Sequence, residues 1–392
     1  MKNQKIFHNI IYLFVVFTRI LVGFVFIFSG FVKAVDPLGS AYKFVDYFTA
    51  FNMPWLESIA LFLAFLLIGF EFLIGWCLVL FIKPKLMNWG AFIFMVLFTP
   101  LTLWLAIEDP VKDCGCFGDA IILTNWQTFY KNIIILFFIV ISFFYNINIK
   151  SWLNYKKEWL IIIITFFSII SFSYYNLEHL PVIDFRPYKV GTYIPEKMKV
   201  PEGASKDEYE QYLTLKDTVN GNEIKIEAKE YTKDSTYWGH TSVWKFISSS
   251  KPVLIKKGYE PPIHDFVITS DEGIDITENI LSDTVFYFLI IAHDLKKYDL
   301  KNQEKINKLY QNTKLHSQKF ICVTSSILDD VTKFKKENKI LYEFYVADPI
   351  TLKTIIRSNP GMVLLNNGRI IAKWHCNDIP SYENIYFKYI KK

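Results

Sequence analysis

The sequence predicts a membrane α-helical bundle, with four spans as its core and a fifth beside them, followed by a soluble α/β domain. Three observations predict it. Five long, nearly uncharged apolar runs lie before residue 176. Tryptophans gather near their ends, as at a membrane interface. After Pro261 the apolar segments shorten and alternate between strand-like and helix-like periods. The overall hydrophobic share of 52% therefore averages two different regimes.

The runs are Ile10–Val32, Trp55–Ile82, Trp89–Ile107, Trp126–Asn146 and Trp159–Tyr175. The first follows Lys2 and Lys5 but is longer than a signal-peptide core and ends in no small-x-small cleavage site, so it reads as a retained helix. Lysines mark the N-terminus, the second loop (Lys83, Lys85) and the fourth (Lys150, Lys156, Lys157). Acids mark the first loop (Asp36, Asp46, Glu57) and the third (Glu108, Asp109, Asp113, Asp119). The positive-inside rule then places the N-terminus in the cytoplasm, and loops 1 and 3 with the C-terminal domain outside. The expected setting is the lipid bilayer of a bacterial inner membrane, with a periplasmic domain.

Two charges fall inside the apolar runs. Arg19 and Glu71 both lie roughly 14–16 Å from the cytoplasmic end at 1.5 Å per residue, so their depths match and the two are expected to pair. Gly23, Gly30 and Gly75 would let these helices approach. The functional reading is a polar site touching a membrane quinone head group; the structural one is an ion pair that fixes helix pairing.

Loop 3 contains Asp113-Cys114-Gly115-Cys116-Phe117-Gly118-Asp119. Two thiols one residue apart close only a small, strained ring, which favours exchange over stapling. A metal would require more soft ligands than this loop holds, and a plain structural turn is the other alternative. The nearby acids are expected to raise the thiol pKa and make a modest nucleophile. Cys77, inside the second span, reads as packing.

The stretch Arg19 to Gly23 and Phe28-Ser29-Gly30-Phe31-Val32-Lys33-Ala34-Val35-Asp36-Pro37 resembles the DoxX family. The run Asp113 to Asp119 ahead of the fourth span resembles the related MauE group. The resemblance implies a four-helix membrane core over residues 8–148 and a part in periplasmic disulfide chemistry. Residues 157–176 form the fifth span outside that core.

Residues 177–262 read as a β-rich linker or insertion. They contain a hairpin signal, Tyr212–Leu215 and Glu223–Ile226 around Asn220-Gly221. Residues 263–392 give the order βαβαβαββ: strands at Val285–Ala292, Phe320–Thr324, Tyr342–Val346, Met362–Leu365 and Arg369–Trp374, with helices at Gln303–Ser317, Leu328–Asn338 and Thr351–Arg357. This resembles thioredoxin-like domains of the TlpA and peroxiredoxin kind, with Pro360 where that fold keeps its cis-proline. The family's Cys-x-x-Cys is missing: the chain reads His293-Asp294-Leu295-Lys296. Cys322 reads as inert in a buried strand, and Cys376 beside His375 as a candidate free thiol. Pro360 and His293 are the candidate docking residues for a periplasmic thiol or disulfide protein. A net charge of +5 without a basic-aromatic platform excludes nucleic acid as the natural partner. The sequence thus points to a thiol-disulfide redox component working through Cys114 and Cys116, with no metal; the alternative is a non-catalytic anchor whose outer domain binds a partner.

Overall fold

A computed structural model describes residues 2–111, 113–144, 151–256 and 258–391. Among the described residues five helices are long and apolar enough to cross a membrane, and this is a multi-pass membrane protein. They are α1 (Lys2–Val35), α3 (Ala60–Val79, entered through a turn of 3-10 helix at Pro54–Ile59), α4 (Pro84–Glu108), α5 (Asn125–Phe144) and α6 (Tyr155–Glu178). The expected end of the fourth span at Asn146, and Lys150 after it, lie outside the described residues.

One helix was not anticipated. α2 (Pro37–Ala50) occupies most of loop 1. Asp36 caps it by accepting from Gly39 N, and Pro37 supplies a first-turn residue that needs no N–H partner. The core of the bundle is the α1–α3 pair. A Cβ on Gly30 would lie 2.8 Å from Phe72 N, and one on Gly23 would lie 2.9 Å from Gly75 O. These glycines therefore set the distance between two antiparallel backbones, as small residues do in membrane bundles.

The C-terminal domain is the expected α/β arrangement. Its five-stranded sheet consists of β6 (Tyr287–Ala292), β7 (Lys319–Thr324), β8 (Glu343–Val346), β9 (Gly361–Asn366) and β10 (Arg369–His375), in the order β10-β9-β6-β7-β8. β6, β7 and β8 are parallel, while β9 and β10 form an antiparallel edge. The helices α9 (Thr277–Ser282), α10 (Gln303–Leu315), α11 (Leu328–Glu337), α12 (Pro349–Ile355) and α13 (Tyr382–Ile385) complete it. All six β6 residues are buried, which explains why that strand reads as a continuous apolar run. The Asn359–Pro360 peptide is cis and leads directly into β9. This strand order, with a cis-proline ahead of the antiparallel edge, is thioredoxin-like.

The intervening stretch divides differently from the expected linker. Residues Tyr193–Phe266 form their own compact unit. It holds α7 (Ile194–Met198), α8 (Ala228–Lys233), a three-stranded sheet β3-β2-β4 and a pair β1-β5, where β1 is Glu208–Glu210, β2 Tyr212–Asp217, β3 Glu223–Glu227, β4 Trp244–Ser249 and β5 Val253–Lys256. The Asn220-Gly221 hairpin forms as expected, with Leu213 opposite Ile226. Residues 177–192 instead belong with the C-terminal sheet: Gly191 N donates to Ile370 O and Ile370 N to Thr192 O, along the free edge of β10.

Candidate functional site

The site is built where loop 3 lies over the ends of α1 and α2. Gly115 (φ +66°) and Gly118 (φ +50°) adopt left-handed backbone that suits glycine, and Gly118 N closes a turn on Gly115 O. The turn folds the two thiols together, with their sulfurs 2.6 Å apart and both half-buried. A Cβ on Gly115 would meet Lys43 Cγ at 2.8 Å, so this position is restricted by packing as well as by backbone conformation.

Each carbonyl of the pair is anchored by a separate helix. Tyr47 of α2 donates to Cys114 O at 2.6 Å. Ser29 and Lys33 of α1 donate to Cys116 O at 2.7 and 2.6 Å. Lys33 Nζ also donates to Ser29 Oγ at 2.7 Å and to Glu71 Oε2 at 2.8 Å, which uses all three of its hydrogens. Lys33 and Glu71 are 7% and 5% exposed, so this is a buried pair whose members depend on each other.

The expected Arg19–Glu71 pair does not form. Arg19 Nε donates to Ser142 Oγ at 2.7 Å, and Glu71 belongs to Lys33. Gly30 lies against Phe72 and Gly23 against Val79, so the antiparallel register puts Glu71 beside the C-terminal end of α1. Arg19 is then about three turns away along the axis. Depths counted from the ends of apolar runs misplaced both groups, because α1 continues past those ends to Lys2 and Val35.

The thiols are polarised against each other. Cys116 is brought down to about 6 by the hydrogen bond from Cys114, assisted against burial by the ammonium groups of Lys131 and Lys33. Cys114 is pushed well above the ordinary thiol range by that same bond, by burial and by the neighbouring thiolate charge. This corrects the expectation that loop acids make both thiols sluggish. The acids are engaged elsewhere: Asp113 with Lys43 at 3.0 Å, Asp109 with Asn125 at 2.8 Å, and Asp119 with Arg357 at 3.3 Å. Among the described residues no cluster of metal-ligating side chains is found.

The thioredoxin-like domain meets this loop through Arg357, which follows α12. Its guanidinium takes Asp36 at 2.8 Å and Asp119 at 3.3 Å, bridging loops 1 and 3. Burial alone would raise Asp36, but Arg357 outweighs it and leaves the carboxyl below its usual range. Lys353 and Arg357 also lie over the Tyr42 ring, at 4.8 and 5.4 Å. A cleft of about 680 Å³ runs between Lys353 and Arg357 on one side and Lys43, Asp46 and Gly115 on the other.

The docking residues expected from sequence are not exposed. Pro360 is buried and His293 is 8% exposed, with burial pulling its pKa down to about 4. Where the family would carry its thiol pair, Asn359 Nδ2 closes instead on Asp294 O at 2.7 Å. The charged groups of this edge that reach loops 1 and 3 are Lys353 and Arg357, both half-buried and neither marked by a sequence motif. Cys376 is likewise buried, its thiol pushed up by that burial, and Cys322 is fully buried with its thiol raised for the same reason. Cys77 is core, as expected.

The four spans and the thiol loop of this geometry coincide with one matched region. Residues 11–145 match the family model of methylamine utilisation protein MauE. The match covers the first four spans and both cysteines of the pair. No curated protein gives a significant match to the chain. Among solved structures, a putative protein disulfide isomerase from Bacteroides thetaiotaomicron is similar at 16% identity, over 32% of this chain and 82% of that one, with a TM-score of 0.26. The thioredoxin-like assignment rests on strand order and connections.

Proposed function

We propose that this MauE-like membrane protein is a thiol-disulfide exchange component in which Cys114 and Cys116 alternate between dithiol and disulfide. The observation that carries the reading is the geometry of the pair: the loop 3 turn folds two half-buried sulfurs to 2.6 Å of each other. The bond between them and the nearby lysines pull the Cys116 thiol down, while the same bond pushes the Cys114 thiol up. A thiolate attacks the disulfide of a partner, and the adjacent thiol then displaces the mixed disulfide; in reverse, a partner dithiol reduces the pair. The lysine-rich loops, read as cytoplasmic, support a site on the outer face of a bacterial inner membrane, and in this reading the partner is a periplasmic thiol protein. The cleft beside Lys353 and Arg357 is its approach route.

Equilibrating the purified chain with glutathione redox buffers and counting free thiols by maleimide mass addition tests the reading. The expected result is a two-thiol transition confined to Cys114 and Cys116. Thiols that stay reduced in fully oxidising buffer, together with a wild-type phenotype for the C114S/C116S double variant, would sink it. The anchor reading keeps one observation in its favour, the thiol-free end of β6. A partner captured equally by wild type and by C114S/C116S would favour that reading.

A further inference from the structure

Beneath the thiol pair, between the spans, lies a cavity of about 160 Å³. Cys114 and Cys116 line it, with Phe26, Leu67, Phe94 and Phe98 as apolar wall and the Lys33–Glu71 pair among its polar lining. An engineered apolar cavity of about 150 Å³ accepts one benzene ring, so this space holds a single six-membered ring. One polar group of the lining differs from the paired Lys33 and Glu71. Lys131 of α5 also faces the cavity, and its ammonium lies over the Phe117 ring at 4.5 Å. Among the described residues it makes no ion pair, in contrast to Lys33, whose hydrogens are all used.

We infer that this cavity takes the ring of a lipid-soluble quinone, which accepts the electrons of the Cys114–Cys116 pair. An acyl chain would satisfy the aromatic walls but leave the ammonium and both sulfurs facing hydrocarbon. A ring bearing carbonyl oxygens gives Lys131 an acceptor while its flat faces meet phenylalanines. The inference rests on the exchange function proposed above and names its acceptor. It also relocates the quinone contact from Arg19, which does not line this cavity.

The step balances. The Cys114 thiol and the Cys116 thiolate form one S–S bond and release two electrons and one proton. The quinone takes both electrons, the proton from Cys114 and a second proton from the Lys131 ammonium, and leaves as hydroquinone. Lys131 recovers its proton from water. A periplasmic dithiol then reduces the pair and is itself oxidised, so net electron flow runs from protein thiols into the lipid pool.

The test uses the full chain purified in detergent, reduced and freed of reductant, then mixed with a short-tailed ubiquinone analogue. Hydroquinone formation and loss of maleimide-reactive thiols are followed together, with glutathione disulfide as a parallel oxidant from the aqueous side. The expected result is one hydroquinone per chain, none from C114S/C116S. Leu67→Trp, which fills the cavity, should slow the quinone reaction at least ten-fold and leave oxidation by glutathione disulfide unchanged. Leu101→Trp replaces it if that variant aggregates. Lys131→Met should also slow the quinone reaction. If glutathione disulfide oxidises the wild-type pair but the quinone does not, the acceptor is wrong and the exchange function stands. Quinone reduction at the wild-type rate in the filled and Lys131→Met variants would likewise overturn the cavity assignment. If neither oxidant forms the disulfide, the exchange function itself fails.

Discussion

The polarisation of the thiol pair can be tested by the pH dependence of alkylation. With Cys116 near 6, about 90% of it is thiolate at pH 7, against about 3% for an ordinary cysteine at 8.5. A less basic thiolate is also a weaker nucleophile, and a Brønsted slope of about 0.45 over this difference removes roughly thirteen-fold. At pH 7 Cys116 should therefore react only about twice as fast as a free cysteine of equal accessibility. At pH 5.5 the thiolate fractions are about 24% and 0.1%, so the advantage grows to roughly twenty-fold. The diagnostic is the midpoint, which does not depend on access: modification of Cys116 should rise through pH 6 and level off by pH 7.5. Iodoacetamide pulses on the reduced protein, quenched and mapped by mass spectrometry, would measure it. Because the hydrogen bond from Cys114 is the main cause of the lowered value, Cys114→Ala, which leaves no donor there, should move the midpoint upward. A midpoint near 8.5 for Cys116, unmoved by Cys114→Ala, would refute the argument.

Other predictions follow from the packing around the pair. Lys33→Met strands the Glu71 carboxylate in the bundle and should cost about 3–5 kcal/mol, read as a lowered unfolding midpoint in detergent. Arg19→Gln, which removes a cation that pairs with no carboxylate among the described residues, should cost clearly less. Gly30→Ala forces a Cβ to 2.8 Å from Phe72 backbone and should destabilise the α1–α3 pair by about 1–3 kcal/mol. Arg357→Ala removes charge-assisted bonds worth about 1.5–3 kcal/mol each, and hydrogen exchange over residues 36–44 should accelerate while β6 and β7 stay protected.

Hydropathy made the spans legible because bilayer thickness dictates their length, and the buried β6 stood out because every one of its residues is apolar. The Asn220-Gly221 hairpin was equally readable from local chemistry. The α2 helix had a signal, Asp36 followed by Pro37, that a loop reading passed over. The Glu71 partner was lost for a different reason: Lys33 stands at the end of an apolar run, where a lysine ordinarily reaches water, and only the helix register turns it inward. Arg357 and Asp36 are 321 residues apart, and no local pattern links them. The pKa of the thiols was misjudged because neighbours in sequence were counted. The charges that act are Lys131 and Lys33 from two spans, while Asp113 is neutralised by Lys43. The Cys-Gly-Cys run itself was plain in the sequence; its polarisation required the fold.

The central claim is that Cys114 and Cys116 cycle between thiol and disulfide in the membrane where the protein works. Trapping thiols in intact cells with acid, then alkylating with a mass-tagged maleimide before and after reduction, tests it most directly. The account predicts a reductant-sensitive shift of two tags, confined to these cysteines, whose proportion changes when cells move between oxidising and reducing growth conditions. Two freely alkylated thiols under every condition would contradict it.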